Sequence, residues 1–337
     1  MCTQIEEAIG HTPFVEIRRL PIPEGVRIFA KLEFLNPSGS IKDRMVRHIL
    51  DHAAATGVLC PGGTIVENTS GNTGAAIAMF AAARGYRAIL TMPDKVSQEK
   101  QDALLALGAE IVVCPTAAAP HTPEHYVCTA RRLSQEIPGA FMLNQYDNPL
   151  NVQAHFLTTG PEIWSALGKH ITAFVASGST GGTVSGVGRY LRAQNPDIQV
   201  VLLDPVGSIY FTYFHQGVID HSEIAPYHVE GVGEDHLAKC MDFTVITDVI
   251  RFDDQAAFAM CHALAAQEGL LCGGSAGANV WGCLQLAQRL QPPATIVTVL
   301  PDSGIKYISK IYNDHWLVTH GFSPRAVKSL PMPPAAA

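Results

Sequence analysis

The sequence lacks the run of about 18 continuous apolar residues that a membrane helix needs, and its opening, Met1-Cys2-Thr3-Gln4, has no signal-peptide organisation. A cytoplasmic protein without a membrane partner is expected. Basic charge is also scarce: 23 Lys and Arg against 30 Asp and Glu give a net charge of -7 and no basic stripe, which argues against a nucleic-acid surface. Charged residues make up only 16% of the chain and apolar ones 47%, which excludes a disordered protein and lets 337 residues bury large cores. The eight cysteines contain no CxxC pair and no paired metal-ligand spacing, so they read as buried small hydrophobes in reducing surroundings. His121 and His125 flank Thr122-Pro123-Glu124 in a loop leading to a helix, where a cap or surface role is expected over a metal pair. No metal is expected, and no solenoid repeat is present.

What is present is an alternation of short apolar runs with helical patterns. The β-rich runs are nearly continuous, which argues for parallel strands covered on both faces. Thr64-Ile65-Val66-Glu67 leads into an Ala-rich helix ending at Gly85, and Arg87–Met92 leads into a helix started by Ser97 and stopped at Gly108. Glu110–Val113 completes this series, and Ala173–Ala176, Ile198–Leu203 and Thr295–Leu300 form a second one. Two α/β lobes follow. Residues 204–250 have weak periodicity and many aromatic, His and Gly residues, so loops covering a cleft are expected there. The ending, 323–337, reads as a loose tail.

Four polar segments interrupt this pattern. Asn36-Pro37-Ser38-Gly39-Ser40-Ile41-Lys42-Asp43-Arg44 places an amine in a glycine-containing turn, where Lys42 is either a solvated cation or an amine able to hold an aldehyde as an imine. Thr69-Ser70-Gly71-Asn72-Thr73-Gly74 follows a strand; its hydroxyls and amides suit a small carboxylate, Asn72 can bond a ring oxygen, and cap chemistry explains the same residues. Gly178-Ser179-Thr180-Gly181-Gly182-Thr183 opens a helix, so its amides and Thr hydroxyls can converge on a phosphate, although a packing turn has the same form. It matches neither the Walker pattern nor the usual dinucleotide fingerprint. Gly273-Gly274-Ser275-Ala276-Gly277 brings a hydroxyl to another helix start, where it can meet a pyridine nitrogen.

Together these segments resemble the fold type II pyridoxal-phosphate (PLP) enzymes of the cysteine synthase and cystathionine β-synthase family, from Ile9-Gly10-His11-Thr12-Pro13 to about Phe322. The resemblance implies two three-layer α/β/α lobes with a cofactor cleft between them. Residues 1–43 and 149–337 would form the larger PLP-binding lobe, and 44–148 a smaller, mobile, substrate-binding lobe. It implies that Lys42 bonds the cofactor and serves as the base at Cα, that Asn72 bonds the pyridine hydroxyl oxygen, and that Gly178–Thr183 binds phosphate, with Ser179 where glycine is usual. Ser275 would face the pyridine nitrogen, while Thr69, Ser70, Thr73 and Gln145 would grip the substrate carboxylate. Tyr146 is left as either a catalytic or a core residue, and Asp302 as either a partner of the Ser275 region or a cap.

The implied reaction is β-replacement on L-serine or an activated serine through a bound α-aminoacrylate, followed by attack of a thiol or amine. Glu230–Asp235, Glu268–Gly277 and Leu300–Ser303 favour the cystathionine β-synthases, so condensation of L-serine with L-homocysteine leads. Cysteine synthesis from O-acetylserine or O-phosphoserine and sulfide, synthesis of a specialised β-substituted alanine such as 2,3-diaminopropionate, and serine or threonine dehydration are the alternatives. A PLP-only core without haem or adenosylmethionine control is expected, as a homodimer. The run Ile209-Tyr210-Phe211-Thr212-Tyr213-Phe214-His215 departs from the family and is expected to reshape the nucleophile pocket.

Overall fold

Apolar runs such as Val200–Leu203 and Ile296–Leu300 are buried at almost every position, with no alternation toward solvent, because parallel strands in this chain carry helices on both faces. The computed structural model describes residues 2–69, 71–94, 96–119 and 122–328. Its strands are β1 (Phe14–Ile17), β2 (Val26–Leu32), β3 (Thr64–Asn68), β4 (Arg87–Pro93), β5 (Glu110–Cys114), β6 (Phe141–Met142), β7 (Ala173–Ser177), β8 (Gln199–Pro205), β9 (Asp248–Phe252) and β10 (Ala294–Leu300). They form two α/β/α lobes.

The smaller unit comprises Met1–Gly10 and Asn36–Asn151. Its sheet runs β5-β4-β3-β6, all parallel, with Val66 opposite Ile89 and Met142. The Asn72–Arg84 helix ends at Gly85 and the Gln98–Ala106 helix follows Ser97, as the sequence predicts. Val66, Ile89 and Ala130 are at the centre of one of its apolar clusters.

The larger unit comprises His11–Leu35 and Val152–Ala337. Its sheet runs β1-β2-β10-β7-β8-β9, parallel throughout except for the β1–β2 pair. The Gly274–Ala287 helix lies against the Asp254–Ala263 helix so closely that a Cβ at Gly277 would stand 2.2 Å from the Ala257 carbonyl oxygen. That approach fixes the start of the helix bearing Ser275.

Two expectations meet a different arrangement. These units place residues 1–10 and 36–43 with the smaller body, whereas the sequence reading grouped 1–43 with the larger one. Pro324–Lys328 is a short helix with Val327 fully buried in the larger core, so the loose tail does not begin at 323; residues 329–337 lie outside the described residues. The aromatic run of 209–215 is also ordered locally, forming the Tyr210–Gln216 helix with Tyr210 fully buried.

Candidate active site

In the smaller unit, Lys42 is the first residue of the Lys42–Ala55 helix and is half-buried. The turn before it is built by side chains that replace missing helix partners. Asp43, fully buried, accepts the Ser38 amide at 2.8 Å and the Ser38 hydroxyl, while the Lys42 amide donates to the Ser40 hydroxyl at 3.3 Å. The Asn36 side chain accepts the Gly10 amide at 2.9 Å, tying the turn to the chain start. The amine of Lys42 therefore projects from a fixed backbone.

The second segment follows β3. Thr69 accepts the amides of Gly71 and Gly74, each at 3.1 Å, which folds the chain into the helix that Asn72 opens. Thr73 donates its hydroxyl to Gln145 Oε1 at 2.7 Å, and both residues are buried. The structure thus joins Thr69, Thr73 and Gln145 in one corner, with half-buried Tyr146 beside it in sequence; Ser70 lies outside the described residues. Asn144 takes the left-handed region at φ 53°.

Sequence reasoning missed Glu67, a fully buried carboxyl on β3 whose Oε2 accepts the Asn144 amide at 2.8 Å. Burial pushes its pKa up to about 8, against the opposing pull of nearby backbone amides. Its signal was an acid inside the apolar run Thr64-Ile65-Val66-Glu67.

In the larger unit, the Gly178–Thr183 loop leaves β7 and enters the Gly182–Gln194 helix. Gly181 sits at φ 85°, and a Cβ there would stand 2.5 Å from Met241 Cα, so only glycine fits. The Gly181 carbonyl accepts the Ser185 amide at 2.9 Å, leaving the first-turn amides without intrahelical acceptors at the positive end of the helix dipole. Thr183 meets His155 Nε2 at 3.3 Å. This donor set fits a phosphate.

Ser275 stands in the first turn of the Gly274–Ala287 helix and is 7% exposed. A hydroxyl can donate to or accept from a ligand, so a residue of this type at a helix start can meet a ligand nitrogen. Asp302 reaches this region through its carbonyl, which accepts the Gly273 amide at 3.1 Å, and its carboxylate takes the Tyr307 hydroxyl at 2.6 Å. The cap of the following turn is Ser303 instead.

The model of the pyridoxal-phosphate dependent enzymes matches residues 5–302. The chain belongs to this family. It is 42% identical to the cystathionine beta-synthase of Apis mellifera over 94% of its own length, and spans only 62% of that relative. Among solved structures it resembles the O-acetylserine dependent cystathionine beta-synthase of Helicobacter pylori, with a TM-score of 0.85 and 35% identity over 93% of this chain and 99% of that one. O-ureido-L-serine synthase is equally similar, with a TM-score of 0.85 and 35% identity over 94% and 99% of the two chains. Lys42, the Gly178–Thr183 loop and Ser275 each lie in the first turn of a helix or directly before one.

Proposed function

We propose that the chain catalyses β-replacement on a serine-type amino acid and that its leading reaction joins L-serine to L-homocysteine, giving cystathionine and water. The observation that carries the reading is the placement of Lys42, Asn72, Gly182 and Ser275, each in the first turn of its own helix, where helix-terminal amides favour the acceptor groups of a ligand. The 42% identity to a cystathionine beta-synthase supports the choice of product.

In this reading Lys42 Nζ would hold the cofactor aldehyde carbon and be freed as an amine when the substrate amine takes that carbon, while Asn72 would meet the ring oxygen, the Gly178–Thr183 amides and hydroxyls the phosphate, and Ser275 the ring nitrogen. PLP supplies an electron sink for the pair left on Cα when the proton departs. Lys42 Nζ takes that proton as the β-substituent leaves and returns it after the nucleophile has added. Thr69, Thr73 and Gln145 grip the substrate carboxylate and set the angle of the reacting bonds. Ser70 belongs to the same grip by its place in the motif. Replacing Thr73 with Val removes the hydroxyl that orients Gln145, so the KM for the amino acid should rise roughly tenfold, with a smaller change in kcat. An unchanged KM would remove this pair from the carboxylate site.

Mass-resolved product analysis tests the reaction itself. Purified, PLP-loaded protein is given L-serine, O-acetylserine or O-phosphoserine, each with homocysteine, sulfide or an amine. Cystathionine from L-serine supports the reading, and a keto acid released without a nucleophile defeats it in favour of dehydration. O-acetylserine is the second donor to consider, because a solved structure of similar fold is described as O-acetylserine dependent.

A further inference from the structure

The Gly178–Thr183 loop is gripped on its outer side by residues outside the proposed cofactor contacts. Gly233 donates its amide to the Gly178 carbonyl at 2.9 Å, and Tyr210 donates its phenol to the Ser179 carbonyl at 2.7 Å. The Ser179 hydroxyl donates to the Glu234 carboxylate. Glu234 is itself pinned by its backbone, its amide donating to the Ser208 hydroxyl at 3.0 Å and its carbonyl accepting the Ile209 amide at 3.1 Å.

In a trans peptide the carbonyl and the next amide point in opposite directions across one rigid plane. Tying the Gly178 carbonyl to Gly233 and the Ser179 carbonyl to Tyr210 therefore turns the amides of Ser179 and Thr180 toward the other side of the loop. That is the side an anion needs. We propose that Tyr210 and Glu234 are positioning residues that hold the Gly178–Thr183 loop in its phosphate-binding shape through Ser179. The inference rests on the reading of this loop as the phosphate site.

Other features agree with this role. Tyr210 is fully buried, its ring meets Phe243 edge-on at 5.7 Å, and Phe211 next to it donates its amide to Asp204 Oδ2 at 2.8 Å, so the phenol has little freedom to move. Burial raises the Tyr210 pKa well above 10, which keeps the phenol a donor at any working pH. Ser179 stands where the resembled family has glycine, and its hydroxyl adds a tether that glycine lacks. The aromatic run of 209–215 thus acts on the cofactor loop through Tyr210.

The test uses holoenzyme carrying Tyr210→Phe, Glu234→Ala, Glu234→Gln or Thr183→Val, with folding checked by circular dichroism. Two quantities are read: the rate of PLP release into excess scavenging apoprotein, and the phosphorus NMR shift of the bound cofactor. Tyr210→Phe and Glu234→Ala should each speed release roughly three- to tenfold, the range that loss of one hydrogen bond carries, and should move the phosphorus signal. Glu234→Gln still offers an oxygen to Ser179 and should stay within about twofold of the parent. Tyr210→Phe removes a single oxygen and keeps the test decisive if Glu234→Ala does not fold. If Thr183→Val speeds release while Tyr210→Phe and Glu234→Ala leave both readouts unchanged, the positioning role is wrong and the loop assignment stands. If Thr183→Val also changes nothing, both fall; equal acceleration by Glu234→Ala and Glu234→Gln would remove Glu234 alone.

Discussion

Replacing Lys42 with alanine is expected to lower turnover by roughly a hundred- to ten-thousandfold, the span that a positioned general acid–base group contributes. One amine is assigned both proton movements at Cα as well as the hold on the cofactor, so no neighbour inherits either task. The amine is also aimed. Asp43 is fully buried and locked to Ser38, and the helix beginning at Lys42 fixes the direction in which the side chain leaves the backbone. An added primary amine should restore part of the lost rate, because it replaces the proton carrier without its positioning. The measurement is steady-state turnover of the variant at matched PLP content, with its visible spectrum recorded. Near-parental turnover with the substitution verified by mass would end the assignment of Lys42 as the base.

The turn that carries Lys42 was legible in the sequence because most of the residues that hold it are near neighbours. Ser38, Ser40 and Asp43 all lie within four positions of it, and glycine and serine announce the turn locally. The same holds for the glycines of 178–183 and for Gly85, whose backbone requirements can be read from the residue type. Tyr210 and Glu234 were not legible as partners of Ser179. They stand 31 and 55 positions away, and only the strand order that returns the chain beside β7 brings them to the loop. The aromatic run was read as reshaping the nucleophile pocket; its first tyrosine is buried and donates its hydroxyl to the Ser179 carbonyl. Val327 was missed for a related reason: a helix of five residues has too short a pattern to show one apolar anchor.

Glu67 couples the turn that carries Asn144 and Gln145 to pH. In the folded chain its pKa is raised from an ordinary 4.5 to about 8, mainly by burial, and its Oε1 is buried without a hydrogen-bond partner among the described residues. The unfolded chain releases this proton near the ordinary value. Between the two values the folded chain binds more protons than the unfolded one, so the Glu67 contribution to stability is full below about 4.5 and is lost as pH rises toward about 8. Glu67→Gln keeps the size of the side chain and an oxygen for the Asn144 amide but has no proton to lose. The variant should therefore match the parent near pH 5 and exceed it at pH 8 to 9 by an amount on the order of a few kcal/mol. Urea unfolding of both proteins across that range, at fixed PLP, reads the difference directly. Parallel stability profiles would mean that Glu67 is ionised throughout, and that the amides of the neighbouring loop hold its charge more firmly than burial opposes it. A divergence of the predicted sign would instead make the Asn144–Gln145 turn most secure when Glu67 is neutral, and the KM for the amino acid should then rise above pH 8 in the parent and stay level in the variant.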